Sequence, residues 1–112
     1  MGYFTKTKFE SAFDMLESID QVIRFNLEDH FELVDAEELD LDSRCGTVWV
    51  SKDFIAVDAY NMRNLEYYGG FEYVGEDHIT TVCDYRFYSA EEERVGEHIK
   101  AYYEKVVADS HN

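Results

Sequence analysis

The chain has no proline, two cysteines and six glycines among its 112 residues, and only ten lysines and arginines against 25 acids. Each scarcity excludes something. Without proline, linker composition or a low-complexity tract, the sequence reads as one domain over residues 1–112, large enough for a real core. Cys45 and Cys83 are too few for a zinc cluster or a disulfide scaffold, and two buried thiols are expected in preference to one disulfide. No apolar run approaches membrane-spanning length, and the first residues lack the apolar core of a secretory signal. Lys6 also stands where a myristoylation signal wants Ser or Thr, so a cytoplasmic location is expected. No Gly-x-Ser-x-Gly or phosphate-binding glycine loop is present, and neither cysteine has a catalytic context. Nucleophilic catalysis finds no support, and no cofactor is implied.

What is present is acid on an apolar frame. Hydrophobic residues make up 46% of the chain and aromatics 16%, which a disordered acidic tail would not carry. The net charge of −15 argues against direct binding to nucleic acid or an anionic membrane, both polyanions. It favours a basic protein surface, a bound cation or a high-salt milieu, with salt-sensitive association.

Hydrophobic periodicity predicts a helix over residues 7–26. Phe9, Phe13, Leu16, Ile19 and Ile23 share one face, while Glu10, Asp14 and Glu17 share the opposite one. "FELV" then reads as a short strand. "ELDLD" fits either a half-buried strand or a loop with brief extended pieces, since Asp and Glu are poor strand formers. "TVWVS" and "FIAVDAY" read as strands joined by a tight hairpin at Lys52 and Asp53. Residues 58–70 fit a short helix opened by Asp58 and closed at Gly69, or a hairpin turning at Gly69 and Gly70; the hairpin is preferred. "HITTVCDYRFYS" reads as one strand, paired with "GFEYV" through a turn at residues 75–77. Ser89 and Glu92 form a capping-box signature for a last helix with Val95, Ile99, Tyr102, Tyr103 and Val106 on its apolar face. The fold class expected is α+β: an N-terminal helix, an antiparallel sheet of three to five strands and a C-terminal helix.

Metal chemistry is a weaker reading. Glu-Asp-His occurs twice, at residues 28–30 and 76–78, and carboxylate with imidazole suits a metal or an acid–base pair. No wider sequence around the two copies matches, and acids are abundant enough for coincidence. "DLDSRCG" starts like a calcium loop but fails at Arg44, at Cys45 where glycine belongs, and at Ser51 where the bidentate glutamate belongs. No metal site is expected. His98 reads as a boundary residue. Tyr67, Tyr68 and Tyr73, with Phe71, read first as sheet core and second as an aromatic anchor for a partner.

The acid distribution is the feature that remains. Residues 9–42 carry twelve acids against Arg24 alone. Along the predicted helix, Glu10, Asp14 and Glu17 advance about 4.5 to 6 Å per step, the same order as the roughly 3.4 Å between phosphates along a DNA strand. After them come Glu28, Asp29, Glu32, Asp35, Glu37, Glu38, Asp40 and Asp42, with no lysine or arginine among them. Leu33, Val34, Leu39 and Leu41, threaded through these acids, are expected to pin the segment to the core. In these two stretches, "KFESAFDMLESIDQ" and "LEDHFELVDAEELDLD", the chain resembles in composition the small phage-borne inhibitors that mimic DNA, including anti-restriction and some anti-CRISPR proteins. The resemblance implies a non-enzymatic inhibitor whose carboxylates replace phosphates on a basic, nucleic-acid-binding partner. An immunity protein or antitoxin that neutralises a basic nuclease, or a generic salt-adapted acidic domain, would share this composition.

Overall fold

The computed structural model describes residue 28 and residues 31–72, 74–82 and 84–110. The predicted first helix lies outside them, and with it Glu10, Asp14 and Glu17; so do Asp29, His30, Tyr73 and Cys83. Among the described residues, five strands and two α-helices follow in the order β1 (Glu32–Asp35), β2 (Thr47–Val50), β3 (Phe54–Asp58), α1 (Ala59–Tyr68), β4 (Ile79–Val82), β5 (Tyr85–Ser89) and α2 (Glu93–Ser110). The strands form one antiparallel sheet in the order β1-β2-β3-β5-β4. The fold is α+β, as the sequence predicts.

Alternation along the strands divides the apolar residues between two sheet faces. Val48 and Val50 of β2, Ile55 and Val57 of β3 and Tyr88 of β5 share one face. They pack with Leu65 of α1 and with Val95, Ile99 and Tyr102 of α2 in a single cluster that also takes in Phe71 and Val74. Burying each large member contributes roughly 1.5–3 kcal/mol. Phe54, Ala56 and Phe87 point the other way and are equally buried. There the Phe87 ring meets Phe31 at 5.7 Å and Phe54 edge-on at 5.9 Å. This explains the unbroken run "FIAV": β3 is central, and residues of both parities leave water.

The expected hairpin at Lys52 and Asp53 is present, closed by the Ser51 N–H donating to the Phe54 carbonyl at 2.9 Å. Three expectations are corrected. Residues 59–68 form a helix and not a hairpin. The Asp58 side chain accepts from the Asn61 N–H at 3.0 Å, and the helix buries Leu65 completely. The chain leaves this helix at Gly69, where a Cβ would stand 2.3 Å from the Leu65 carbonyl oxygen. Residues 79–89 are two strands and not one, because Asp84 takes a left-handed conformation (φ 68°) and folds β4 back on β5. The described residues of "GFEYV" lie in no strand, and among the described residues β4 pairs with β5 alone.

The third correction is the cap of α2. Ser89 ends β5, and its hydroxyl accepts from the Glu91 N–H. Glu92 caps the helix itself, its carboxylate accepting from the N–H groups of Arg94 and Val95 at 3.2 and 3.3 Å. Partial burial opposes ionisation of Glu92, but these two N–H groups and the Arg94 guanidinium hold its carboxyl below the usual range.

Candidate acidic interaction surface

Residues 32–45 form a strap in which, Leu33 apart, the apolar residues turn inward and most acids outward. After β1, Ala36–Leu39 makes one 3-10 turn. Three residues complete such a turn, so Ala36 and Leu39 share a side. Both are buried, and Glu37 and Glu38 point to solvent. Asp40 adopts a left-handed backbone (φ 58°), which Asp tolerates better than most residues. That conformation returns Leu41 to the core, where its N–H donates to the Ala36 carbonyl at 3.0 Å. Asp42 caps a second turn, Ser43–Cys45, accepting from the backbone N–H of Arg44 and bidentately from its guanidinium at 2.9 and 2.8 Å. The guanidinium and then the backbone N–H lower the Asp42 carboxyl to a pKa of about 2. Cys45, a free thiol, is fully buried and contacts the Asn64 carbonyl oxygen at 3.6 Å. Burial, and secondarily the charge of Asp42, push its pKa up.

Both helices hold this strap by its backbone. On α2, His98, Tyr102 and Lys105 stand four and three residues apart, on one helical face. His98 Nδ1 lies 2.6 Å from the Leu39 carbonyl oxygen, which can only accept, so Nδ1 carries the hydrogen. The Tyr102 hydroxyl donates to Glu32 at 2.8 Å, and Lys105 Nζ donates to the Glu38 carbonyl at 3.2 Å. Burial, reinforced by the Glu32 carboxylate, raises the Tyr102 pKa. From α1, Asn61 and Asn64 donate to the carbonyls of Thr47 and Arg44. None of these five residues is read as a strap contact from the sequence, where His98 is a boundary residue and Tyr102 part of the apolar helical face.

Most of the carboxylates therefore remain outward. Glu28, Glu32, Asp35, Glu37, Glu38 and Asp40 are exposed, and Asp42 is half-buried. Glu32 is held by Tyr102, Asp42 by Arg44, and Asp40 lies 3.7 Å from Lys105. Asp35, Glu37 and Glu38 form no ion pair among the described residues. Leu39 and Leu41 pin the strap as expected, with Val34 packed beside them. Leu33 does not: it is 53% exposed.

The aromatic residues divide. Phe71 is core, whereas Tyr67 and Tyr68 are 71% and 39% exposed, which corrects the core reading for both. Arg44 stacks on the Tyr68 ring at 3.8 Å, joining this end of α1 to Asp42 of the strap. Tyr60, 85% exposed and two turns before Tyr67, extends the aromatic stripe. It goes unnoticed in the sequence because only a helix aligns residues seven apart.

Among the described residues, no three His, Cys, Asp or Glu side chains are grouped to hold a metal ion, and no helix is long and apolar enough to cross a membrane. Comparison with protein-family models, curated proteins and solved structures finds no match to this chain.

Proposed function

We propose that this protein is a non-enzymatic inhibitor that occupies the basic, nucleic-acid-binding surface of another protein, its carboxylates standing where phosphates would bind. One observation carries the reading. The strap is fixed through its backbone and its buried Ala36, Leu39, Leu41 and Cys45, while Asp35, Glu37 and Glu38 stay outward without a counter-ion among the described residues. A fixed array of unpaired carboxylates avoids the ordering cost that a flexible acidic tail meets on binding.

Charge alone is too weak for this role. An exposed ion pair contributes roughly 0.2–1 kcal/mol, and a micromolar complex requires about 8 kcal/mol. Residues 32–42 hold six acids, too few to supply that much by themselves, so this segment needs uncharged contacts or further acids beside it. Tyr68, stacked under Arg44 of the strap, and the exposed Tyr60 and Tyr67 of the same helix are suited to supply such uncharged contacts.

Affinity capture from the native host, at low and high salt, tests the proposal. The expected capture is a nucleic-acid-handling protein that is released as salt rises and displaced by added DNA or RNA. The triple reversal Glu37→Lys, Glu38→Lys, Asp40→Lys should abolish capture without unfolding the protein. Undiminished capture by that variant, or a partner that nucleic acid does not displace, would refute it.

A further inference from the structure

We infer that the outer edge of β1 accepts an extended, lysine- or arginine-bearing segment of the partner as an added strand. The inference rests on the acidic-surface reading and specifies the shape of what binds there. Its starting point is the hydrogen-bond phase of the sheet. The Ala36 N–H donates to the Gly46 carbonyl at 2.8 Å, continuing the register in which Val34 faces Val48 and Glu32 faces Val50. In an antiparallel ladder, residues bonded to the neighbouring strand alternate with residues whose N–H and C=O point away. Val34 and Glu32 therefore bond β2, and Leu33 and Asp35 turn their backbone groups outward. No strand lies beyond β1 among the described residues.

The side chains on this edge select the occupant. Leu33 offers an exposed apolar contact, and Glu32 and Asp35 place acids at either end of the strand. At the end of β1, where it meets β2, a shallow depression of about 240 Å³ is lined by Asp35, Ala36, Glu37, Ser43, Gly46 and Thr47. Asp35 and Glu37 make its rim acidic. The opposite edge, β4, carries no charge at all in Ile79, Thr80, Thr81 and Val82. Charged residues commonly guard an edge strand against unwanted pairing. Here the same acids would repel a second copy of the chain, whose own acidic strap would lie alongside, and would attract a basic strand. Main-chain bonds then supply affinity that the exposed ion pairs lack, and alternate side chains supply selectivity.

The test uses the full chain, isotope-labelled, and a blocked Lys-Val-Lys-Val-Lys-Val peptide at low salt. Two further peptides carry N-methyl groups at alternate residues, one in each phase, leaving the charge unchanged. Hydrogen exchange at the Leu33 and Asp35 amides should slow by about tenfold or more when the parent peptide binds. Methylation in the phase that faces β1 should weaken binding by about tenfold. Equal binding by all three peptides would show cation attraction without strand pairing. That outcome overturns the edge proposal and leaves the acidic-surface reading intact. Absence of binding by the parent peptide also overturns it, and the acidic-surface reading is then judged by the capture experiment alone.

Discussion

The acidic strap and the surroundings of α1 treat charge in opposite ways. In the strap the backbone is held and the side chains are left outward: His98 and Lys105 bind the carbonyls of Leu39 and Glu38, while Glu37 and Glu38 extend to solvent. Around α1 the charged side chains are themselves the fastening. Glu66 accepts from both Arg86 and the buried Tyr88 hydroxyl, Arg44 stacks on Tyr68, and Arg94 donates to the Gly70 carbonyl. Every described arginine except Arg63 is engaged in this way. Of the strap acids, only Asp42 and Asp40 meet a cation, Arg44 and Lys105, which leaves Asp35, Glu37 and Glu38 without one among the described residues. The lesson is that unpaired charge can be built on a rigid base, provided that backbone and apolar groups do the fastening.

The largest expected effect tests that apolar base. Leu39→Ala should destabilise the protein by roughly 2–5 kcal/mol, read from the urea midpoint, because Leu39 is fully buried under the strap. A cost within about 0.5 kcal/mol would mean that the strap is not pinned there. Next, Glu66→Ala should cost roughly 1–3 kcal/mol, since it leaves the Tyr88 hydroxyl and the Arg86 guanidinium without their acceptor. Tyr102→Phe should cost about 1 kcal/mol through the lost bond to Glu32. In contrast, Glu37→Gln with Glu38→Gln should change stability by no more than about 0.5 kcal/mol, because both side chains are exposed and neither forms an ion pair among the described residues. A destabilisation matching that of Glu66→Ala would erase the distinction between the two regions.

The smallest effect is a titration. Asp42 is the strap acid held bidentately by a cation, and its pKa of about 2 lies below its ordinary value of 3.8. A depressed carboxyl contributes stability that is present above its ordinary pKa and lost as pH falls through the folded value. The contribution of Asp42 should therefore fade between about pH 4 and pH 2. Arg44→Ala should return the Asp42 midpoint, followed by carboxyl NMR, to the ordinary range. An unmoved midpoint would show that Arg44 is not the cause.

Legibility from sequence followed the source of each constraint. The hairpin at Lys52 and Asp53 was readable because both flanking strands carry β-branched and aromatic runs. The choice at residues 59–68 was not readable, since Asp58 and Gly69 suit a helix and Gly69 and Gly70 suit a hairpin. Packing of Leu65 into the sheet favours the helix. The break at Asp84 was hidden because the residues around it favour strand and no glycine announces a left-handed turn. Of the acidic site, the pinning by Leu39 and Leu41 was legible from their alternation with acids. The clamp from α2 was not, because it joins residues about 60 to 70 positions apart in the chain.

By itself the sequence determined the net charge, the location of the uncompensated acids and the residues able to leave water. These are properties of composition and local order, and they hold before the chain folds. Only the tertiary structure decided which carboxylates found a partner. It also set which of two alternating residues on β1 turned its backbone outward, because register and helix packing bring together groups that the sequence keeps far apart.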